Sequence, residues 1–404
     1  MSTLEGVSVA LGISGSIAAV KTIELAHELR RRGAEVRAVM TDSACGIVHP
    51  DAVEYATANE VVTELSGRVE HVELCGTDGW ADVYLVAPAT ANTVGKLAAA
   101  IDDTPVTTTA TTALGAGIPV VVAPAMHEPM YDHPGVLEAI ERVETWGVEF
   151  VEPRVEEGKA KIASESAICT AVERATTDYV LAGKHVVVTS GATEEPIDPV
   201  RVLTNRASGR MGRAIARACY VAGATVTIVH GPVGPHHVDR SAPPDSAPYA
   251  ELLTVSRADE MIETTKAACT DADVLVSAAA IGDFTTTPAD SKIRSGNAFS
   301  LELEPTAKLI DTVRDREPTL PIIGFKAETS GDESEMVEAA RSILERTDLA
   351  FVVANDATVM GASETEALLV HADDVARYTG TKDGLAREVA TSIGVILGAT
   401  EDDR

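Results

Sequence analysis

The sequence predicts an α/β protein of two doubly wound, Rossmann-like domains, each a parallel sheet covered by helices on both faces. Three observations predict it. An apolar run, a glycine turn and a helical pattern occur in succession twice, about 180 residues apart. Short apolar runs of strand length recur between helical stretches along the chain. The 404 residues suffice for two or three full cores.

Residues 7–12, VSVALG, read as the first strand. ISGSIAAVK follows, then a helical pattern to Arg32, with Gly33 as its stop and GAEVRAVMT as the next strand. That is a βαβ unit with a glycine turn at a helix N-terminus. DVYLVAP and IPVVVAP continue the sheet, and the helical stretch SAICTAVERATTDYVLAG closes the first half. The boundary falls there, giving domains 1–182 and 183–404. HVVVTSG (185–191) restarts the pattern with a longer loop, ATEEPIDPVRVLTNRASGRMG, before a helix over 211–222 and the strand GATVTIVHG. DVLVSAAA, PIIGF, LAFVVAND and EALLVHA read as further strands. Residues 231–248 carry five prolines and read as an exposed loop. His236 and His237 lie on it with no third ligand evident, so they read as solvated rather than metal-bound.

No apolar stretch reaches the roughly 18–20 residues that span a bilayer. MSTLEGVSVALGISG has no basic region before its apolar run and reads as a strand, not a signal peptide. The five cysteines, Cys45, Cys75, Cys169, Cys219 and Cys269, are scattered and form no C-x-x-C pair. A reducing cytoplasm is expected, without a disulfide frame or structural zinc. The net charge is −29, and only ten of the 33 basic residues are lysine. Such a surface repels nucleic acid and anionic membranes. Acid excess together with lysine poverty reads as a cytosolic protein of a salt-loving organism, where molar salt screens the repulsion.

Gly12 and Gly15 alone can close a tight turn. The turn lacks the middle glycine of a nicotinamide-binding fingerprint. It offers Ser14 and Ser16 at the start of a helix instead, a setting that suits a phosphate monoester such as that of a flavin mononucleotide. Taken singly, both serines are equally well N-caps.

Ordered motifs decide between these readings. GISGSIAAVK (12–21), HVEL (71–74), WADVYLVAPATANTVGKLA (80–98) and PAMHEPM (124–130) together resemble the flavin-dependent cysteine decarboxylases. TSGATEEPIDPVRVLTNRASGRMG (189–212), SAAAIGDF (277–284), KIR (292–294), GFKAET (324–329) and AND (354–356) resemble phosphopantothenate–cysteine ligase. The fusion in this order resembles the bifunctional coenzyme A biosynthesis family, over nearly the whole chain.

The resemblance implies two coupled reactions. The second half would join 4′-phosphopantothenate to cysteine with CTP and Mg²⁺, through an acyl-cytidylate. The first would decarboxylate the product to 4′-phosphopantetheine. Loss of carbon dioxide beside an unactivated carbon leaves an unstable carbanion. Oxidation of the thiol-bearing carbon to a thioaldehyde creates an electron acceptor, chemistry that FMN supplies and later reverses. The resemblance carries an acid/base or electrostatic role near the thiol and carboxylate to His71, though periodicity alone makes His71 a surface residue of an amphipathic strand. It makes Gly12, Ser14, Gly15, Ser16, Thr41, Thr90 and Asn92 flavin contacts, and Met126 a substrate contact. It also implies trimer contacts in the first half and dimer contacts in the second, commonly a dodecamer.

Three departures matter. The bacterial motif has asparagine at His127, where it holds the substrate carboxylate; a histidine can donate the same hydrogen bond. The bacterial flap carries a cysteine, whereas EEGKAKIASES (156–166) has none. Lys159 or Lys161 can donate a proton there or pair with the substrate phosphate, and Lys161 is expected in the flap role; Cys169 falls in a helical pattern and is expected to be buried. In the ligase half, Asn205 is implied to stabilise charge on the acyl-nucleotide. Arg206 and Arg210 are implied to pair with phosphate, Asp283 and Phe325 to hold the nucleotide, and Lys292 to balance phosphate charge. Where bacterial relatives place phosphate-binding lysines this chain has Ile343 and Thr347; Arg341, Arg346 or Lys308 are the candidates to compensate. No metal-ligand set can be read from the sequence.

Overall fold

The computed structural model describes residues 3–156, 159–233, 247–294, 296, 298–328, 333–356 and 364–402. His236 and His237 lie outside them. The chain divides into two compact units, Met1–Thr177 and Asp178–Arg404.

In the first unit, β1 (Ser8–Ile13), β2 (Glu35–Met40), β3 (Val83–Ala89), β4 (Val120–Pro124) and β5 (Glu149–Phe150) form one sheet in the order 2-1-3-4-5. All neighbours are parallel. The strands are apolar without alternation because both faces are covered. Helices Thr22–Arg31 and Glu165–Ala175 pack on one face around Leu11, Leu25, Met40 and Ile168. Ala91–Ala98, Pro105–Ala116 and Pro134–Glu144 pack on the other around Tyr84, Val94, Val106 and Ile140. The first helix does not start directly at the glycine turn: a 3-10 turn, Ile17–Lys21, comes first, capped by Ser16.

In the second unit, β6 (His185–Ser190), β7 (Thr225–His230), β8 (Glu251–Thr254), β9 (Val274–Ser277), β10 (Ile322–Glu328) and β11 (Phe351–Asp356) are parallel, in the order 8-7-6-9-10-11. EALLVHA lies in β12 (Glu364–Val370), which pairs antiparallel with β11 and then with β13 (Val375–Thr381). The sequence hides β13 because VARYTGT has few apolar residues. In each sheet the strand order reverses once, between β1 and β3 and between β6 and β9. A crevice at the carboxyl ends of these strands is the expected ligand site.

Candidate active sites

In the first unit, the turn after β1 is built by its serines. Ser14 is 1% exposed. Its hydroxyl donates to the Pro88 carbonyl at 2.6 Å and accepts from the Thr90 N–H at 3.1 Å, tying β1 to the end of β3. Ser16 Oγ donates to the Ala125 carbonyl at 3.1 Å. A Cβ on Gly15 would stand 2.5 Å from Ser43 Cβ, so nothing larger than glycine fits. Gly12 lies inside β1, where a Cβ would meet the Tyr84 hydroxyl at 2.3 Å; its smallness serves packing. Thr41 and Thr90 cap the helices Asp42–Cys45 and Ala91–Ala98, and Asn92 is exposed on the first turn of the latter. The hydroxyls of Thr41 and Thr90 thus serve as caps at the carboxyl ends of β2 and β3.

His71 sits on a short helix, α1 (Glu70–Cys75), not on a strand. The Glu70 carboxylate accepts from the Ser66 hydroxyl and, at 2.8 Å, from the Ser66 N–H, which fixes the helix start. His71 is half-buried, and its Nδ1 is buried without a hydrogen-bond partner. A buried polar atom of this kind takes its hydrogen-bond partner from water or from a bound group. The residues present fit a flavin: a tight turn that excludes a side chain, a capped helix start bearing Asn92, and an orphaned imidazole nitrogen.

PAMHEPM lies on a small sheet. Met126–His127 pairs antiparallel with Lys159–Lys161, which pairs with Arg154–Glu156. His127 opposes Lys159 and Met126 opposes Ala160. Strand alternation therefore sets Lys161 on the face of His127. Cys169 is 0% exposed in the helix Glu165–Ala175.

In the second unit, a cleft of about 250 Å³ opens beside the carboxyl ends of β9 and β10, lined by Asp283, Lys308, Asp311, Phe325, Lys326 and Arg346 among others. Lys308 Nζ lies 2.5 Å from Asp283 Oδ1, and Arg346 Nη1 lies 3.2 Å from both Asp311 oxygens. Exposed pairs of this kind are worth little, so both cations can exchange their partners for phosphate. Asn205 Nδ2 donates to the carbonyls of Ala280 (3.1 Å) and Ile281 (3.2 Å), and Ile281 lines the cleft. Gly191, at φ 85° and 2.3 Å from Gly231 O at a built Cβ, lets the loop leave β6 beside this edge. Lys292, Arg206 and Arg210 are exposed and do not line the cleft. Ile343 does, while Thr347 is buried. Arg341 lines a separate groove along the helix Glu333–Thr347 beside Glu333, Glu338 and Glu345, whose charge disfavours a triphosphate. Sequence reasoning missed Lys326 and Asp311; Lys326 was signalled by its place in GFKAET beside Phe325. Among the described residues, no cluster of three His, Cys, Asp or Glu is placed to hold a metal.

Residues 1–177 match the family described as Flavoprotein, and residues 181–396 match the DNA/pantothenate metabolism flavoprotein C-terminal domain. The chain is 49% identical to the coenzyme A biosynthesis bifunctional protein CoaBC of Thermococcus kodakarensis, over 92% of this chain and 90% of that protein. The chain belongs to the CoaBC family. It is 31% identical to the CoaBC of Methanocaldococcus jannaschii, over 96% of this chain and 94% of that protein. The figure for the CoaBC of Bacillus subtilis is 35%, over 88% and 87%. It is a bifunctional enzyme of coenzyme A biosynthesis, with a decarboxylase step and a ligase step. No helix among the described residues is long and apolar enough to cross a membrane.

Proposed function

We propose that the second unit joins 4′-phosphopantothenate to cysteine with CTP and Mg²⁺, and that the first converts the product to 4′-phosphopantetheine with FMN. The two activities divide near residue 182. The observation that carries the ligase reading is the cleft holding Asp283, Lys308, Phe325 and Arg346, with Asn205 bonded at its edge. Phe325 lies against the nucleotide base, and Lys308 and Arg346 meet its phosphates. Asn205 donates to the carbonyl oxygen as charge builds on it. Asp283 and Asp311 are the cleft's carboxylates for a hydrated Mg²⁺, which takes one or two such ligands plus phosphate oxygens. Lys292, Arg206 and Arg210 close on the substrate phosphate from outside the cleft.

In the first unit, the turn Ser14–Ser16 with Thr41, Thr90 and Asn92 holds the FMN, which supplies oxidation and re-reduction of the thiol-bearing carbon. His71 moves a proton or holds charge at the thiol end. His127 donates a hydrogen bond to the substrate carboxylate beside Met126. Lys161, on the same face, delivers the final proton. The protein works as a cytoplasmic homo-oligomer, with trimer contacts in the first unit and dimer contacts in the second.

The test is product mass spectrometry after incubation with phosphopantothenate, cysteine, CTP and Mg²⁺ in high salt. Phosphopantetheine is expected. Accumulated phosphopantothenoylcysteine would overturn the first-unit reading, and equal rates with ATP would overturn the choice of CTP. A Lys161→Ala enzyme that decarboxylates at the parent rate would remove that lysine from the flap.

A further inference from the structure

We propose that Glu195 and Asp198, two buried carboxylates of the loop after β6, are positioning residues of the ligase reaction that hold Asp283 and Lys292 in register with Asn205. This rests on the ligase reading of the second unit. Glu195 is 2% exposed and Asp198 is 3% exposed. A buried carboxylate is costly unless hydrogen bonds satisfy it, and here the bonds run to particular places. Asp198 Oδ1 accepts from the N–H groups of Val200 (2.8 Å) and Arg201 (2.9 Å), which shapes its own loop. Its Oδ2 accepts from the Arg201 guanidinium and, at 3.1 Å, from the N–H of Ile293. Arg201 also donates to the Ile293 carbonyl at 3.0 Å. Ile293 is the residue after Lys292. Glu195 Oε2 accepts from the Thr285 hydroxyl at 2.7 Å, two residues beyond Asp283, while Oε1 accepts from the Ala258 N–H at 3.0 Å.

The segment carrying Lys292 has no regular secondary structure of its own. Among its fixed points are these bonds and the Ala289 N–H donating to the Ile197 carbonyl at 2.9 Å. The same loop, whose strands Glu194–Pro196 and Val202–Thr204 pair antiparallel, therefore carries Asn205 and clasps the backbone beside both Asp283 and Lys292. Burial alone would raise the Asp198 carboxyl; the N–H groups of Val200, Ile293 and Arg201 and the guanidinium overcome it and hold it at about 2. The clasp is ionised at every working pH.

Asp198→Asn keeps the side-chain shape but sets an amide NH₂ against one pair of donors. In the full-length enzyme, kcat for CTP-dependent pyrophosphate release is expected to fall at least about tenfold, the size of one charge-assisted hydrogen bond. The KM for CTP should change little, and supplied phosphopantothenoylcysteine should be decarboxylated at the parent rate. In a Lys292→Ala background, Asp198→Asn should cost almost nothing more, because its effect acts through that lysine. Thr285→Val, which removes only the Glu195 link, should likewise lose its effect in an Asp283→Ala background, and it serves where the Asn variant fails to fold. Parent-rate ligation by both single variants, or losses that multiply in both double variants, would overturn the clasp. A Lys292→Ala or Asp283→Ala enzyme ligating at the parent rate would overturn the role given to that residue in the ligase reading beneath it.

Discussion

His71 owes its place to the residue before it. Glu70 folds back onto Ser66 and starts the helix that presents the imidazole. His71→Gln is expected to keep the flavin, seen in its visible absorbance, while carbon dioxide release falls about a hundredfold or more, the usual contribution of a positioned acid/base group. Release at the parent rate would remove His71 from the chemistry. Glu70 adds a pH dependence. The Ser66 hydroxyl and then the Ser66 N–H hold its carboxyl at about 2, below the ordinary carboxylate range. The fold thus favours ionised Glu70. Its stabilisation is full above about pH 4.5 and fades as pH falls toward 2. The difference in Tm between the parent and Glu70→Gln should be widest at pH 7 and shrink on acidification. A constant difference would show that the carboxylate does not anchor the helix. The thiols of Cys75, Cys219 and Cys269 are pushed up by burial to about 12, which keeps them protonated at working pH.

At the scale of elements, the Ser14–Gly15–Ser16 turn is fixed from both sides. Gly15→Ala forces a methyl to within 2.5 Å of Ser43 Cβ, in a turn whose serines already tie β1 to β3 and to Ala125. Overpacking of this kind costs about 1–3 kcal/mol. The purified variant is expected to lose most of its bound flavin while the ligase half keeps its pyrophosphate-release rate; full flavin occupancy would refute the crowding. The central strands of both sheets were legible in the sequence because parallel strands buried on both faces leave unbroken apolar runs, whereas the edge strands Glu149–Phe150, Glu251–Thr254 and Val375–Thr381 were not, being short or polar. The helix Glu70–Cys75 and the flap strands Arg154–Glu156 and Lys159–Lys161 were not, because a six-residue helix shows no period and the flap strands are too short and too charged to show an apolar one. The candidate site residues were named from the sequence as types at motif positions, and of those in the second half the cleft is lined by Asp283, Lys308, Phe325 and Arg346. Their linkage was hidden: nothing in the spacing of Asp198 and Ile293 shows that they meet, since folding alone brings positions 95 residues apart together.

Over the whole molecule, 62 acidic residues face 33 basic ones. Even if every base paired with an acid, 29 negative charges would remain, so repulsion outweighs what pairs such as Lys96–Asp103 and Lys308–Asp283 can return. Salt weakens both, but the excess is repulsive, so the net sign is stabilising. The Debye length falls from about 10 Å at 0.1 M to about 3 Å at 1 M. Tm should therefore rise steeply across that range in KCl and level off beyond it, as screening becomes complete. A salt that stabilises only by exclusion from apolar surface would go on raising Tm in proportion to its concentration. The shape of the curve separates the two: a plateau near 1 M assigns the effect to the acidic surface, and a straight line assigns it to burial. A Tm that falls with KCl would mean that the ion pairs dominate and that the acidic surface is no adaptation to salt.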